Sequence, residues 1–188
     1  MRPTLRWAQW ILLASGVALL AYCGLVLMDT HRFQNREGRQ LEHLVRDRPA
    51  ANGVPSAASD GLIGRIAIPR LGVSAIVMEG SDEATLRHAV GHIAGTALPG
   101  QPGNVGIAGH RDTFFRPLRN IRKSDMITFA TPTGESRYRV VSTRVVGPRD
   151  VGVLGNTAED VLTLVTCYPF YFVGSAPSRF IVRADRVR

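Results

Sequence analysis

Three side chains in this 188-residue chain have the types that acyl transfer needs, and each sits beside a stretch that reads as a β-strand. The stretch TLVTCYPF, Thr163 to Phe170, is a β-branched, apolar run that ends in Cys167 and passes into an aromatic-Pro-aromatic turn. The stretch NVGIAGH is a buried-type strand that ends at His110, and Arg179 opens the closing strand RFIVRADR. A thiol becomes a strong nucleophile once deprotonated, and a neighbouring histidine or arginine favours the thiolate. Acyl chemistry also needs a donor for the oxyanion of the tetrahedral intermediate. Strand ends are rigid platforms that open onto loop-lined clefts, so His110, Cys167 and Arg179 are placed to converge on one site. Spacing alone leaves open whether they do. The commoner fate of a cysteine is burial as a small hydrophobe.

The elements that must position these residues are mostly β. From Gly61 the chain offers GLIGRIAIP and VSAIVMEG around the turn RLG, then NVGIAGH, DMITFAT and SRYRVVSTRVVG around the turn PTGE, a short DVGVLG, VLTLVTC and RFIVRADR. SDEATLRHAVG begins with Ser81, Asp82 and Glu83, an N-cap and acidic first turn, and predicts one short helix; RPLRNI predicts a helical turn. About eight strands with few helices predict a closed or nearly closed eight-stranded β-barrel with one or two short helices.

Ahead of this lies WILLASGVALLAYCGLVLM, Trp10 to Met28, nineteen residues without a charge. As a helix it would span about 28 Å, close to the ~30 Å hydrocarbon core of a bilayer. Trp7 and Trp10 sit at one end, where interfacial aromatics belong, and DTHRFQ after Met28 is a poor cleavage site. The expectation is a retained N-terminal transmembrane helix. Arginines flank it on both sides (Arg2 and Arg6; Arg32, Arg36 and Arg39), so charge alone does not orient it. Cys23 lies inside this helix and cannot pair with Cys167 in the same folded chain. The division expected is 1–28 as membrane anchor, 29–60 as stalk and linker, and 61–188 as the catalytic barrel. In the stalk Leu41, Leu44 and Val45 are the few apolar positions of a polar helix, and AANGVPSAASDG has the composition of a flexible linker.

The formal net charge of +8 is spread along the chain, and no basic arm or aromatic-basic interleaving points to nucleic acid. A basic surface of this kind suits proximity to anionic lipid or cell-wall polymer. The acidic residues do not cluster as metal ligands, so neither a metal nor another cofactor is expected.

TLVTC at a strand end resembles the signature of sortases, membrane-anchored cysteine transpeptidases of bacterial surfaces. LPGQPGNVGIAGHRDTFFRPL resembles the stretch around the sortase histidine, and SAPSRFIVRA the stretch around its arginine. The order His, Cys, Arg matches, and the resemblance covers about Gly61 to Arg188 together with the anchor. GHRDTFF with TCYPF is most similar to the class D group. One departure is Ser124 in KSD, where a glycine often precedes the aspartate. The resemblance implies an eight-stranded barrel facing outward, with the N-terminus inside. It implies that Cys167 attacks the threonine carbonyl of a Leu-Pro-x-Thr-type sorting signal to form a thioester. His110 would then serve as acid for the leaving amine and base for the incoming one, and Arg179 would bind the substrate backbone and the oxyanion. The implied partners are proteins bearing a C-terminal sorting signal and an amine acceptor, either a cell-wall peptide or a pilin lysine.

The remaining candidates read as structural. His88 and His92 do not end strands, His31 and His43 fall in the polar stalk, Asn104 reads as a turn former, and Asp112 is either an orienter of His110 or a surface aspartate. Thr166 should face away from Cys167 by strand alternation. Two other classes stay open from the residues alone. One is an L,D-transpeptidase, although there the histidine and cysteine lie close together in a Gly- and Ser-rich motif that is missing here. The other is a non-catalytic anchored barrel that binds a wall component. Pilus-assembling members of the family that the chain resembles often carry a lid that reads Asp-Pro-aromatic; Pro49 and Pro55 in the stalk lack that context, which predicts a spacer.

Overall fold

The computed structural model describes residues 3–46, 61–172 and 174–187. Its first element is one continuous helix, α1 (Pro3–Arg46). The uncharged run forms its first half, with side chains such as Trp10, Leu12, Leu20 and Leu25 exposed, and the helix is long and apolar enough to cross a membrane. Its second half is polar but not solvated all round. Phe33, Gln34, Gly38, Leu41 and Leu44 recur at helical spacing and form one half-buried to buried face. Leu41 is buried with Leu62 and Ile76, and Phe33, Leu44 and Met78 pack around them. Gln34 accepts a hydrogen bond from the Ile76 N–H at 2.9 Å and donates Nε2 to the His88 carbonyl at 2.7 Å. Of the three apolar positions of this polar stretch, Leu41 and Leu44 are used and Val45 is exposed. Residues 47–60, which include all of the linker-like AANGVPSAASDG except Gly61, lie outside the described residues.

The barrel strands are β1 (Leu62–Ile68), β2 (Val73–Glu79), β3 (Val90–His92), β4 (Asn104–Ala108), β5 (Met126–Thr131), β6 (Gly134–Val146), β7 (Val161–Tyr168) and β8 (Ser178–Val187). The short helix α2 (Glu83–His88) is capped by Asp82, whose carboxylate accepts from the Thr85 N–H at 3.0 Å. The barrel closes in the order β1-β2-β3-β4-β7-β8-β6-β5, with β2–β3 and β4–β7 parallel and the other pairs antiparallel. Inward residues from every strand, among them Ile66, Val77, Val90, Ile107, Phe129, Tyr138, Leu164 and Val182, fill one core.

The strand count matches the expectation, but one member differs. DVGVLG forms a 3₁₀ turn, Val151–Leu154, and the eighth strand is the three-residue β3. Three residues cannot display an alternating pattern. The ladders that β2 and β4 offer on either side fix β3 as a strand.

Ser124 has φ of 73°, the left-handed region that favours glycine. Its N–H donates to the Val140 carbonyl at 2.8 Å, and the turn presents the Asp125 carboxylate to the Arg70 guanidinium and to the Arg122 N–H. The Arg70 hydrogen bonds hold the Asp125 carboxyl below the usual carboxylate range. A glycine at position 124 therefore suits this backbone better than serine. Relief of about 1–2 kcal/mol of left-handed strain exceeds the ~0.4–1 kcal/mol that glycine costs through the unfolded chain. Ser124→Gly should raise stability by about 0.5–1 kcal/mol in urea unfolding without changing the m-value. Leu41→Ala should lower stability by about 2 kcal/mol, because it removes the centre of the α1 contact with the barrel. A Leu41→Ala protein as stable as the parent would show that the second half of α1 is not docked.

Candidate active site

Strand alternation decides which way the candidate residues face. In β7 Leu162 and Leu164 lie in the core, and in β8 Val182 and Ala184 do. The alternate positions Cys167 and Arg179 therefore belong to the outer face, and the register pairs them directly opposite one another. In β4 Val105 and Ile107 are core residues, so alternation carried through Gly109 assigns His110 to the same outer side. In the parallel ladder Ala108 is level with Val165, and two further steps on each chain bring His110 level with Cys167. Cys167 and Arg179 are thus paired across β7 and β8, and the register extended past the end of β4 continues that row to His110. At a strand separation of about 4.8 Å the row is about 10 Å long. All three side chains are half-buried, shielded but reachable.

The row is held from below by two hydrogen bonds at one residue. Gly109 donates its N–H to the Val165 carbonyl at 3.1 Å and accepts the Thr166 hydroxyl at 2.7 Å. Thr166 is buried, as alternation from Cys167 requires. A side chain at position 109 would meet the Phe115 ring at 2.6 Å, so only glycine lets the chain turn back over the core just before His110.

Loops from two directions flank the row. Asn104 is a buried junction rather than a turn former. It donates to the Val153 and Gly155 carbonyls at 3.1 and 3.2 Å and accepts the Thr163 hydroxyl at 2.7 Å. This fixes the β6–β7 connection against the outer face of β4 and β7. On the other side, Tyr168, Phe170 and Phe180 pack ring against ring with centroids 5.3–6.2 Å apart. Arg179 donates Nη1 to the Ala176 and Ser178 carbonyls at 3.3 and 3.0 Å, leaving Nε and Nη2 without a hydrogen bond among the described residues.

Asp112 is exposed and makes no hydrogen bond to His110. His92 is buried between Glu79, Thr96 and the Ala97 carbonyl, and His88 lies against Phe33 of α1. His31 and His43 are exposed. No group of three His, Cys, Asp or Glu side chains suited to a metal exists among the described residues. Sequence reasoning missed Arg111, which bonds the Pro169 and Gly174 carbonyls. Its position next to His110 was the only available signal.

A family model described as "Sortase domain" matches residues 66–187. The chain is 28% identical to "Sortase D" of Bacillus subtilis (strain 168) over 189 residues, covering 94% of this chain and 96% of that protein. A solved Clostridium perfringens sortase D5 transpeptidase is similar at a TM-score of 0.66 and 28% identity, covering 84% of this chain and 98% of its own. Sortase C-1 from Actinomyces oris is similar at a TM-score of 0.65 and 26% identity, covering 82% and 97% respectively.

The support beneath the row is open to test. Thr166→Val keeps the shape and removes the hydroxyl that satisfies the Gly109 carbonyl. It should lower stability by about 1 kcal/mol and slow any reaction that uses His110. Unchanged urea unfolding would show that the bond contributes nothing.

Proposed function

The chain belongs to the sortase family, most like its class D members, and from that premise we propose that this cysteine transpeptidase cleaves a Leu-Pro-x-Thr-type sorting signal at Cys167 and transfers the product to an amine acceptor. The observation that supports this reading is that Cys167 and Arg179 are paired directly across β7 and β8, with His110 two residues beyond the last β4–β7 pair, Ala108 and Val165.

In the proposed reaction Cys167 Sγ attacks the carbonyl carbon of the signal's threonine. The oxyanion that forms takes hydrogen bonds from the Nε and Nη2 groups of Arg179, whose Nη1 is already held by the Ala176 and Ser178 carbonyls. The carbon–nitrogen bond breaks, the leaving amine takes a proton from His110, and a thioester remains on Cys167. An incoming amine then attacks the thioester carbonyl and gives a proton to His110. The carbon–sulfur bond breaks, restoring the thiolate and leaving a new amide. The acceptor is a cell-wall peptide or a pilin lysine.

We place residues 1–28 in the membrane with the N-terminus inside, 29–60 as the connection, and 61–188 outside as the catalytic domain. The buried contacts of α1 are with β1, β2 and α2. In the barrel order these strands lie across from β7 and β8, so α1 serves as a fixed stand-off and not as a lid over Cys167.

Cleavage of a sorting-signal peptide, with an added amine to report transfer, tests the assignment. Cys167→Ala should lose both activities, and Cys23→Ala should lose neither. Arg179→Lys keeps the charge but not the planar fork of donors, and turnover should fall about 10²–10³-fold with the fold intact. A Cys167→Ala protein that still cleaves the peptide would overturn the reading.

A further inference from the structure

The connection between Cys167 and Arg179 is held unequally at its two ends. The end that leaves Cys167 is packed, because Phe170 and Phe180 lie ring against ring at 5.3 Å and both pack on the core. The returning end has no such support. Gly174, Ser175 and Pro177 are exposed, and Ala176 is only half-buried. Yet this weakly packed end carries the Ala176 carbonyl that holds Nη1 of Arg179.

Arg111 supplies the missing support. Its Nη1 donates to the Pro169 carbonyl at 3.0 Å and its Nη2 to the Gly174 carbonyl at 2.9 Å. One guanidinium thereby spans both ends of the turn, and its carbon lies 6.0 Å from the centroid of the Phe172 ring at the tip. A second arginine, Arg119, lies 5.5 Å from the Tyr171 ring centroid. Two donors on separate nitrogens set at a fixed angle match two carbonyls, a geometry that the single nitrogen of a lysine ammonium lacks.

We propose that Arg111 is a positioning residue: it fixes the Gly174 end of the connection so that the Ala176 and Ser178 carbonyls keep Arg179 turned with Nε and Nη2 free for substrate. Arg111 touches no reacting atom itself. Because it follows His110 directly, it links the histidine side of the row to the arginine side. The inference rests on the reading of Arg179 as the oxyanion donor, and the test separates the two.

The test is a double-mutant cycle on the full chain in detergent micelles, read as peptide cleavage, with thermal unfolding confirming that each variant is folded. Arg111→Ala should lower kcat on the order of tenfold while KM changes little, the expected effect of losing two hydrogen bonds that act through a neighbour. Arg111→Lys should recover only part of this. In an Arg179→Lys background, Arg111→Ala should cost no more than about twofold further, since the group it positions is already impaired. If Arg111→Ala is as active as the parent, or costs the same factor in both backgrounds, the positioning role is overturned. If Arg179→Lys itself is fully active, the functional reading of Arg179 fails, and this inference fails with it. Should Arg111→Ala not fold, Arg111→Lys carries the same comparison.

Discussion

The register of β7 between β4 and β8 is the constraint on which the site depends. β7 is paired antiparallel with β8 along its full length and parallel with β4 over Val161 to Val165. A slip of one residue would turn Cys167 toward the core and bring Thr166 outward, because strand side chains alternate with a period of two. The apolar residues Leu162 and Leu164 resist that slip, since they would lose their place in the core. The core thus sets the side on which the thiol emerges. The row of His110, Cys167 and Arg179 follows from packing residues that take no part in chemistry.

Loops then flank the row from two sides. The β6–β7 connection is fastened by the buried Asn104, and the β7–β8 connection by an aromatic cluster at one end and by Arg111 at the other. Backbone carbonyls are the common anchor points. They accept from Asn104, Arg111 and Arg179 in turn, so irregular backbone that no sheet ladder satisfies is paired with side chains. On the far side of the barrel α1 is bonded to β2 and to the end of α2 through Gln34. One continuous helix therefore leads from the apolar segment to the barrel.

Much of this was legible in the sequence, for physical reasons. Cys167 ends a continuous apolar, β-branched run and Arg179 opens another strand-like stretch, which marks the element at each position. The eight-stranded barrel followed from the number of short strands and the scarcity of helices. What escaped lacks a period. The strand β3 has three residues and is made by its neighbours, and DVGVLG is apolar but turns. The docked face of α1 was underread because Gln34 and Gly38 are not apolar, and they serve the contact through hydrogen bonds and close approach. Arg111 and Asn104 act on carbonyls distant in the chain, which local pattern cannot reveal. Ser124 stood out only as a departure from a family habit, and its positive φ supplies the reason for that habit.

The account's central claim is that the thiol at the centre of the row carries the acyl group. The direct measurement is mass spectrometry of the full chain mixed with a sorting-signal peptide, quenched in acid and digested for mapping. The account predicts an added mass equal to the peptide up to its threonine, located on the fragment that contains Cys167 and released by an added amine. Peptide cleavage with no adduct, or an adduct on any other residue, would contradict it.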